Sequence, residues 1–167
     1  MSAPADIGLR GSGTAAAVEP CGMMHVGIIA RLHADFMADA WNADALATLL
    51  ATPGTFGFLA SADGVPTGFV LCRAAARECE ILTIGVAPHA RGRGIGGRLL
   101  ETAIRQARHR GLTEMFLEVG AGNQAARRLY ESREFSVVGN RPAYYRHAGR
   151  GPEDALILRL LLDPPGN

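Results

Sequence analysis

The sequence predicts an α+β fold: one central mixed, mostly antiparallel sheet with helices on both faces. Three observations carry this expectation. Apolar, partly β-branched or aromatic runs at 55–60 and 67–72 flank the turn Ser61 to Gly64, and a third run follows at 80–86, the pattern of an antiparallel meander. The second half alternates strand-like and helix-like periods instead. Between the halves lies the strongest amphipathic stretch, Gly94 to Arg110, with Ile95, Leu99, Leu100, Ala103, Ile104 and Ala107 along one side.

Taken in order, residues 1–13 are small, polar and glycine-containing, and read as a flexible tail. Residues 14–162 read as a single domain and 163–167 as a second tail. Thr14 to Val18 fits a short first strand. Met23 to Phe36 has helical apolar spacing, and Asn42 suits the N-cap of a helix over Ala43 to Leu50, stopped by Pro53-Gly54. Ser61 to Gly64 is a hairpin turn. Pro88 ends the third meander strand, and Gly111 caps the long helix. Met115 to Val119 is a strand, and Gln124 to Arg133 a helix capped by Asn123. Ser136 to Gly139 and Ala155 to Leu161 are the last strands, with a long polar loop between them.

Composition excludes several chemistries. The chain has no lysine, so a P-loop, a pyridoxal phosphate enzyme and a Schiff-base aldolase all lack their essential amine. The formal net charge is +1, which does not suit a nucleic-acid-coating protein, and no direct nucleic-acid binding is expected. Cys21, Cys72 and Cys79 form no Cys-x-x-Cys, and the five histidines no His-x-x-x-His. No metal site is therefore expected, and the thiols suit a reducing cytoplasm. No apolar run approaches the ~20 residues of a membrane span, and residues 1–17 lack the apolar centre of a secretory signal.

The chemistry concentrates between Val86 and Gly97. Glycines at 92, 94, 96 and 97 join a strand to a helix. There the backbone can turn several N–H groups toward one point, and the helix adds its positive end. A diphosphate is the natural guest. Gly92-x-Gly94-x-x-Gly97 also matches a dinucleotide fingerprint, with Glu118 about where a ribose-binding acid would sit. Against that reading, Ala87 to Arg91 separate the glycines from the strand, and too few parallel strands follow.

Val86-x-Pro88 followed by Arg91-x-x-Gly94-x-Gly96 resembles the acetyl-CoA signature of the GNAT superfamily of N-acetyltransferases. The resemblance implies that the turn Arg91, Gly92, Arg93, Gly94, Ile95, Gly96 and Gly97 holds the pyrophosphate of acetyl-CoA. It also implies that Ile84, Gly85 and Val86 pair with the pantetheine arm beside a bulge, for which Gly85 is a candidate. Transfer to an amine needs a base for the ammonium and a donor for the departing sulfur. Glu118, ending the next strand, suits the first, although an arginine-paired strand-end carboxylate is an equally simple reading. Asn123 and Tyr130 are almost two helical turns apart and share a face. Asn123 can then touch the pantetheine and Tyr130 the sulfur.

Within the superfamily the chain is similar to the RimI family, which acetylates the N-terminal alanine of a small-subunit ribosomal protein. Phe116 to Val119, Ala121-x-Asn123-x-Ala125-Ala126, Leu129 to Ser132, Arg141-x-x-Tyr144-Tyr145 and Glu153 to Ala155 carry this similarity. It implies Glu118 as general base, Tyr130 as general acid and a protein N-terminus as partner. A small amine such as an amino acid, polyamine or antibiotic is the alternative acceptor. The loop from Arg141 to Asp154 is the expected acceptor wall. In it Tyr144 and Tyr145 would sandwich a small residue, and Glu153 with Asp154 would attract a cation. The chain departs from the family at Gly120, at Gly122 and at Arg133-Glu134, where the family has arginine, serine and Leu-Gly. Reduced local stability is expected at the last of these.

Overall fold

The computed structural model describes residues 15–37, 40–146 and 151–162. The proposed tails, 1–13 and 163–167, lie outside them. Seven strands form one sheet in the order β1-β2-β3-β4-β5-β7-β6. The strands are β1 Ala17–Cys21, β2 Thr55–Ala62, β3 Val65–Ala75, β4 Glu78–Val86, β5 Glu114–Gly120, β6 Ser136–Tyr145 and β7 Glu153–Leu161. Every neighbouring pair is antiparallel except β4 with β5. A doubly wound dinucleotide fold needs a run of parallel strands, so that rival reading falls.

Four helices cover the sheet: α1 Val26–Phe36, α2 Ala43–Ala51, α3 Ile95–His109 and α4 Gln124–Glu131. Strand alternation decides which residues meet which helix. Phe56, Phe58, Val70, Cys72 and Ile81 face the apolar stripe of α3. Leu59, Phe69 and Leu71 point the other way, into Ile29, Leu32 and Leu46 of α1 and α2. Ile95, Leu99, Leu100 and Ile104 are all buried. Burial of each is worth about 1.5–3 kcal/mol relative to exposure, which anchors the front end of α3, the end that carries the glycine turn. Asn42 caps α2 as expected, its Oδ1 accepting from the Ala45 amide at 2.9 Å.

Four differences from expectation bear on the account. β1 runs from Ala17 to Cys21, in register with Gly57 to Ser61; Ala15 and Ala16 precede the strand, and Thr14, the expected start, lies outside the described residues. The bulge in β4 is not at Gly85. Leu71 pairs with Thr83 and Cys72 with Ile81, so Leu82 is the extra residue. The polar segment after Gly139 is partly strand: β6 continues to Tyr145 and β7 starts at Glu153, while residues 147–150 lie outside the described residues. β6 is an edge strand with most side chains in water, so it needs no apolar alternation.

The fourth concerns α4, which stops at Glu131. The Phe135 and Arg133 amides both donate to the Tyr130 carbonyl, and the Glu134 amide to the Glu131 carbonyl. Glu134 itself takes the left-handed conformation at φ 66°, where a side chain costs roughly 1–2 kcal/mol. Replacing Glu134 with Gly should therefore raise stability by about 1 kcal/mol, or about 2–4 °C in melting temperature. A thermal melt of the variant beside the wild type reads this directly.

Candidate active site

The parallel pair β4/β5 is matched at only three positions, Glu78 with Glu114, Cys79 with Met115 and Glu80 with Phe116. Beyond them the strands part. The edges of residues 81–86 and 117–120 that face each other have no strand partner among the described residues. The Leu82 bulge turns β4 at the point where the fork opens.

At the mouth of the fork the chain makes a 3-10 turn, Pro88–Ala90, and reaches α3 through Arg91 to Gly94. Arg91 Nε donates to the Val86 carbonyl at 3.1 Å and ties the turn to the strand end. Gly92 and Gly94 take φ of 74° and 76°, conformations that side chains resist. A Cβ built on either would meet nothing within 4 Å, so both face open space. The backbone N–H groups of residues 92–97 meet no carbonyl acceptor among the described residues. A run of unpartnered amides at a helix start is an anion cradle, and it fits a pyrophosphate. The free edge of Ile84 to Val86 next to it fits an extended amide-bearing arm.

Gly85 has a different task from the one expected. A Cβ there would fall 1.9 Å from the Phe36 ring, so the residue is glycine to admit that ring. Phe36 belongs to an aromatic group with His33, Trp41 and Phe69. His33 is wholly buried and its Nδ1 accepts from the Trp41 amide at 3.0 Å. Burial lowers its pKa, which keeps the ring neutral. Sequence reasoning missed Phe36 as a neighbour of the fork, since its spacing in α1 marks it only as a core residue.

Across the fork, Glu118 sits on β5 opposite Ile157 of β7, on the sheet face away from α3. Its Oε1 lies 3.0 Å from Arg141 Nε. Arg141 pairs with Ala155, which pairs with Gly120. The arginine therefore reaches Glu118 diagonally over β7, past a residue too small to block it. The arginine-paired reading of Glu118 is thus correct as geometry, and the partner is one that the sequence placed in a solvated loop. The Arg-x-x-Tyr-Tyr spacing was the available signal.

Tyr130 is buried on α4 with its ring against Phe135. Burial, helped by the nearby Tyr145, pushes its phenol up to about 12. Tyr145 is raised as well, first by burial and then by the charge of Glu118, with Tyr144 and Glu153 adding to it. The charges of Glu118 and Glu153 thus act on Tyr145, and Tyr145 in turn on Tyr130. Tyr144 and Tyr145 stand edge to face with ring centroids 5.2 Å apart. They touch each other, so nothing can be sandwiched between them. Asn123 caps α4, its Oδ1 accepting from the Ala126 amide at 3.1 Å.

Gly120 and Gly122, the two departures, both lie against Glu153. The Glu153 carboxylate accepts from the Gly122 amide at 2.7 Å, and a Cβ on Gly120 would come within 2.5 Å of the same oxygen. Glutamate fills the space that larger side chains would need. Asp154 has a structural task as well. Its two oxygens accept from the Ala143 amide and the Asn140 side chain, and these bonds lower its pKa. It pins the irregular stretch of β6 that carries Arg141. A cleft of about 570 Å³ between α3 and residues 132–134 contains none of the expected site residues. Among the described residues no group of three or more His, Cys, Asp or Glu side chains is arranged to hold a metal.

Residues 28–135 match the profile of the acetyltransferase (GNAT) family. The chain is 38% identical over 100 residues to the ribosomal protein bS18-alanine N-acetyltransferase of Salmonella typhimurium, a match spanning 60% of this chain and 67% of that protein. It is 40% identical over 125 residues to the N-alpha-acetyltransferase RimI of Mycobacterium tuberculosis, spanning 72% and 75%. Among solved structures, the ribosomal-protein-S18-alanine N-acetyltransferase from Escherichia coli superimposes with a TM-score of 0.84 at 26% identity, over 90% of this chain and 96% of that one.

Proposed function

The chain belongs to the acetyltransferase (GNAT) family, and from that premise we propose that its acceptor is the N-terminal alanine amine of a small-subunit ribosomal protein. It is an N-acetyltransferase that uses acetyl-CoA. The relatives named for bS18 alanine acetylation support the acceptor. The observation in this chain that carries the reading is the openness around Glu118. Glu118 keeps 26% of its side chain exposed and its partner Arg141 52%, and Tyr144, under that guanidinium, is 50% exposed. Among the described residues, helices α1 and α2 make their main contacts with β2, β3 and β4. A small-amine enzyme needs an enclosed acidic pocket, whereas a chain terminus needs an approach from outside. We take residues 14–162 as one catalytic domain working in the cytoplasm. Among the described residues no helix is long and apolar enough to cross a membrane.

Acetyl-CoA supplies an activated thioester. The free amides of residues 92–97 hold its pyrophosphate, and Ile84 to Val86 offer their open edge to its arm, with Asn123 at the far side. Glu118 accepts the proton that the acceptor ammonium must lose before attack. Tyr145, beside both Glu118 and Tyr130, orders the space between base and donor.

Tyr130 serves the departing sulfur as a hydrogen-bond donor. With its phenol near 12 and a thiol near 8.5, complete proton transfer would be uphill by about 5 kcal/mol. A donated hydrogen bond stabilises the developing charge without that cost. The donor form persists below about pH 12 and is lost above it. Activity should therefore show no alkaline decline from Tyr130 below about pH 11. Tyr130→Phe should lower kcat about ten- to a hundred-fold at every pH without moving the profile. A pH–rate series on both proteins checks this. A profile that changes shape on losing the hydroxyl would instead make Tyr130 a titrating acid.

The acceptor itself is tested by mass spectrometry of peptides treated with acetyl-CoA. A free Ala-Arg terminus should gain one acetyl group on its α-amine, and the same peptide with a blocked terminus none. Acetyl on a side chain, or on neither peptide, would refute this acceptor.

A further inference from the structure

Resting on that reading of Glu118 as the base, we propose that Arg141 is a placeholder cation that the acceptor ammonium must displace, and that it thereby helps set which amines are accepted. The guanidinium sits 3.0 Å from Glu118 Oε1, where a substrate ammonium has to be to give up its proton. An ammonium arriving at that oxygen meets the guanidinium's like charge at close range and competes with it for the carboxylate. A second resting place is already built. The guanidinium carbon lies 5.5 Å from the centroid of the Tyr144 ring, within cation–π range. Arg141 can therefore leave the carboxylate and keep the ring.

The backbone beneath Arg141 is held for this. Register between β6 and β7 breaks between Arg141 and Tyr145, and Ala143 stands at φ 53°. Asp154 fastens the irregularity from both sides through Asn140 and Ala143. The side chain moves while its strand does not. A free small amine brings only its charge to compete with Arg141. A chain terminus adds backbone contacts, so it pays the displacement more easily.

The test is isothermal titration of an alanine-initiated peptide into enzyme saturated with coenzyme A, where no turnover occurs. Arg141→Gln should bind the peptide about three-fold tighter, the scale expected for a half-exposed ion pair. Arg141→Lys, which keeps the charge, should bind like wild type. In a Glu118→Gln background the gain from Arg141→Gln should vanish, because no carboxylate remains to be vacated. Arg141→Met replaces Arg141→Gln if the latter does not fold. Weaker or unchanged peptide binding in the charge-free variant, or a gain that survives Glu118→Gln, overturns the proposal. Failure of wild type to bind any peptide would instead sink the ribosomal acceptor. The same titrations with the small amine it does acetylate would then read Arg141 separately.

Discussion

Glu118→Gln should lower turnover at neutral pH at least about a hundred-fold, the scale of a lost general base, while acetyl-CoA binds as before. The amides of residues 92–97 that form the phosphate cradle do not involve this side chain. The deficit should shrink as pH rises. A terminal α-amine loses its own proton near 7.7–8.0, and above that range the base has less to do. Folding should survive, because a partly exposed ion pair such as Glu118–Arg141 contributes only about 1 kcal/mol. Steady-state rates from neutral to alkaline pH, with acetyl-CoA affinity measured alongside, decide the matter. Full activity of the variant across the range would remove Glu118 from the chemistry.

Gly94→Val should weaken acetyl-CoA at least about ten-fold. Gly94 starts α3 from the left-handed region at φ 76°, where a side chain costs roughly 1–2 kcal/mol and a β-branched one fits worst. A Cβ there would touch nothing in the protein. The cost is therefore backbone strain in the turn itself, together with a side chain standing in the open space in front of the amides. Calorimetric titration with acetyl-CoA, with a melt to show that the fold is retained, reads the effect. Unaltered affinity would take the glycine turn out of cofactor binding.

The parts of this site that were legible in the sequence are local. The glycine turn, the amphipathic α3 behind it, Asn123 as a cap and the strand ending in Glu118 all follow from spacing within a few residues. What was not legible depends on strands that meet out of sequence order. Arg141 reaches Glu118 across β7, which lies between β5 and β6 in the sheet and after both in the chain. Glu153 fills the space left at Gly120 and Gly122 from 31 residues beyond Gly122. Phe36 seats its ring on Gly85 from another helix. β6 was cut short because an edge strand in water shows no alternation to read. The bulge was assigned to a glycine, yet it falls on Leu82, where the register of β3 against β4 slips and no special residue type marks it.

The acceptor is the central claim. It is tested most directly by comparing kcat/KM for a short peptide beginning Ala-Arg with the values for a panel of amino acids, polyamines and aminoglycosides, all at saturating acetyl-CoA. The account predicts a clear preference for the free peptide terminus, with turnover lost when that terminus is blocked. Efficient transfer to a small amine with none to the peptide would contradict it, leaving the acetyl-CoA chemistry intact and replacing the ribosomal protein with a small molecule.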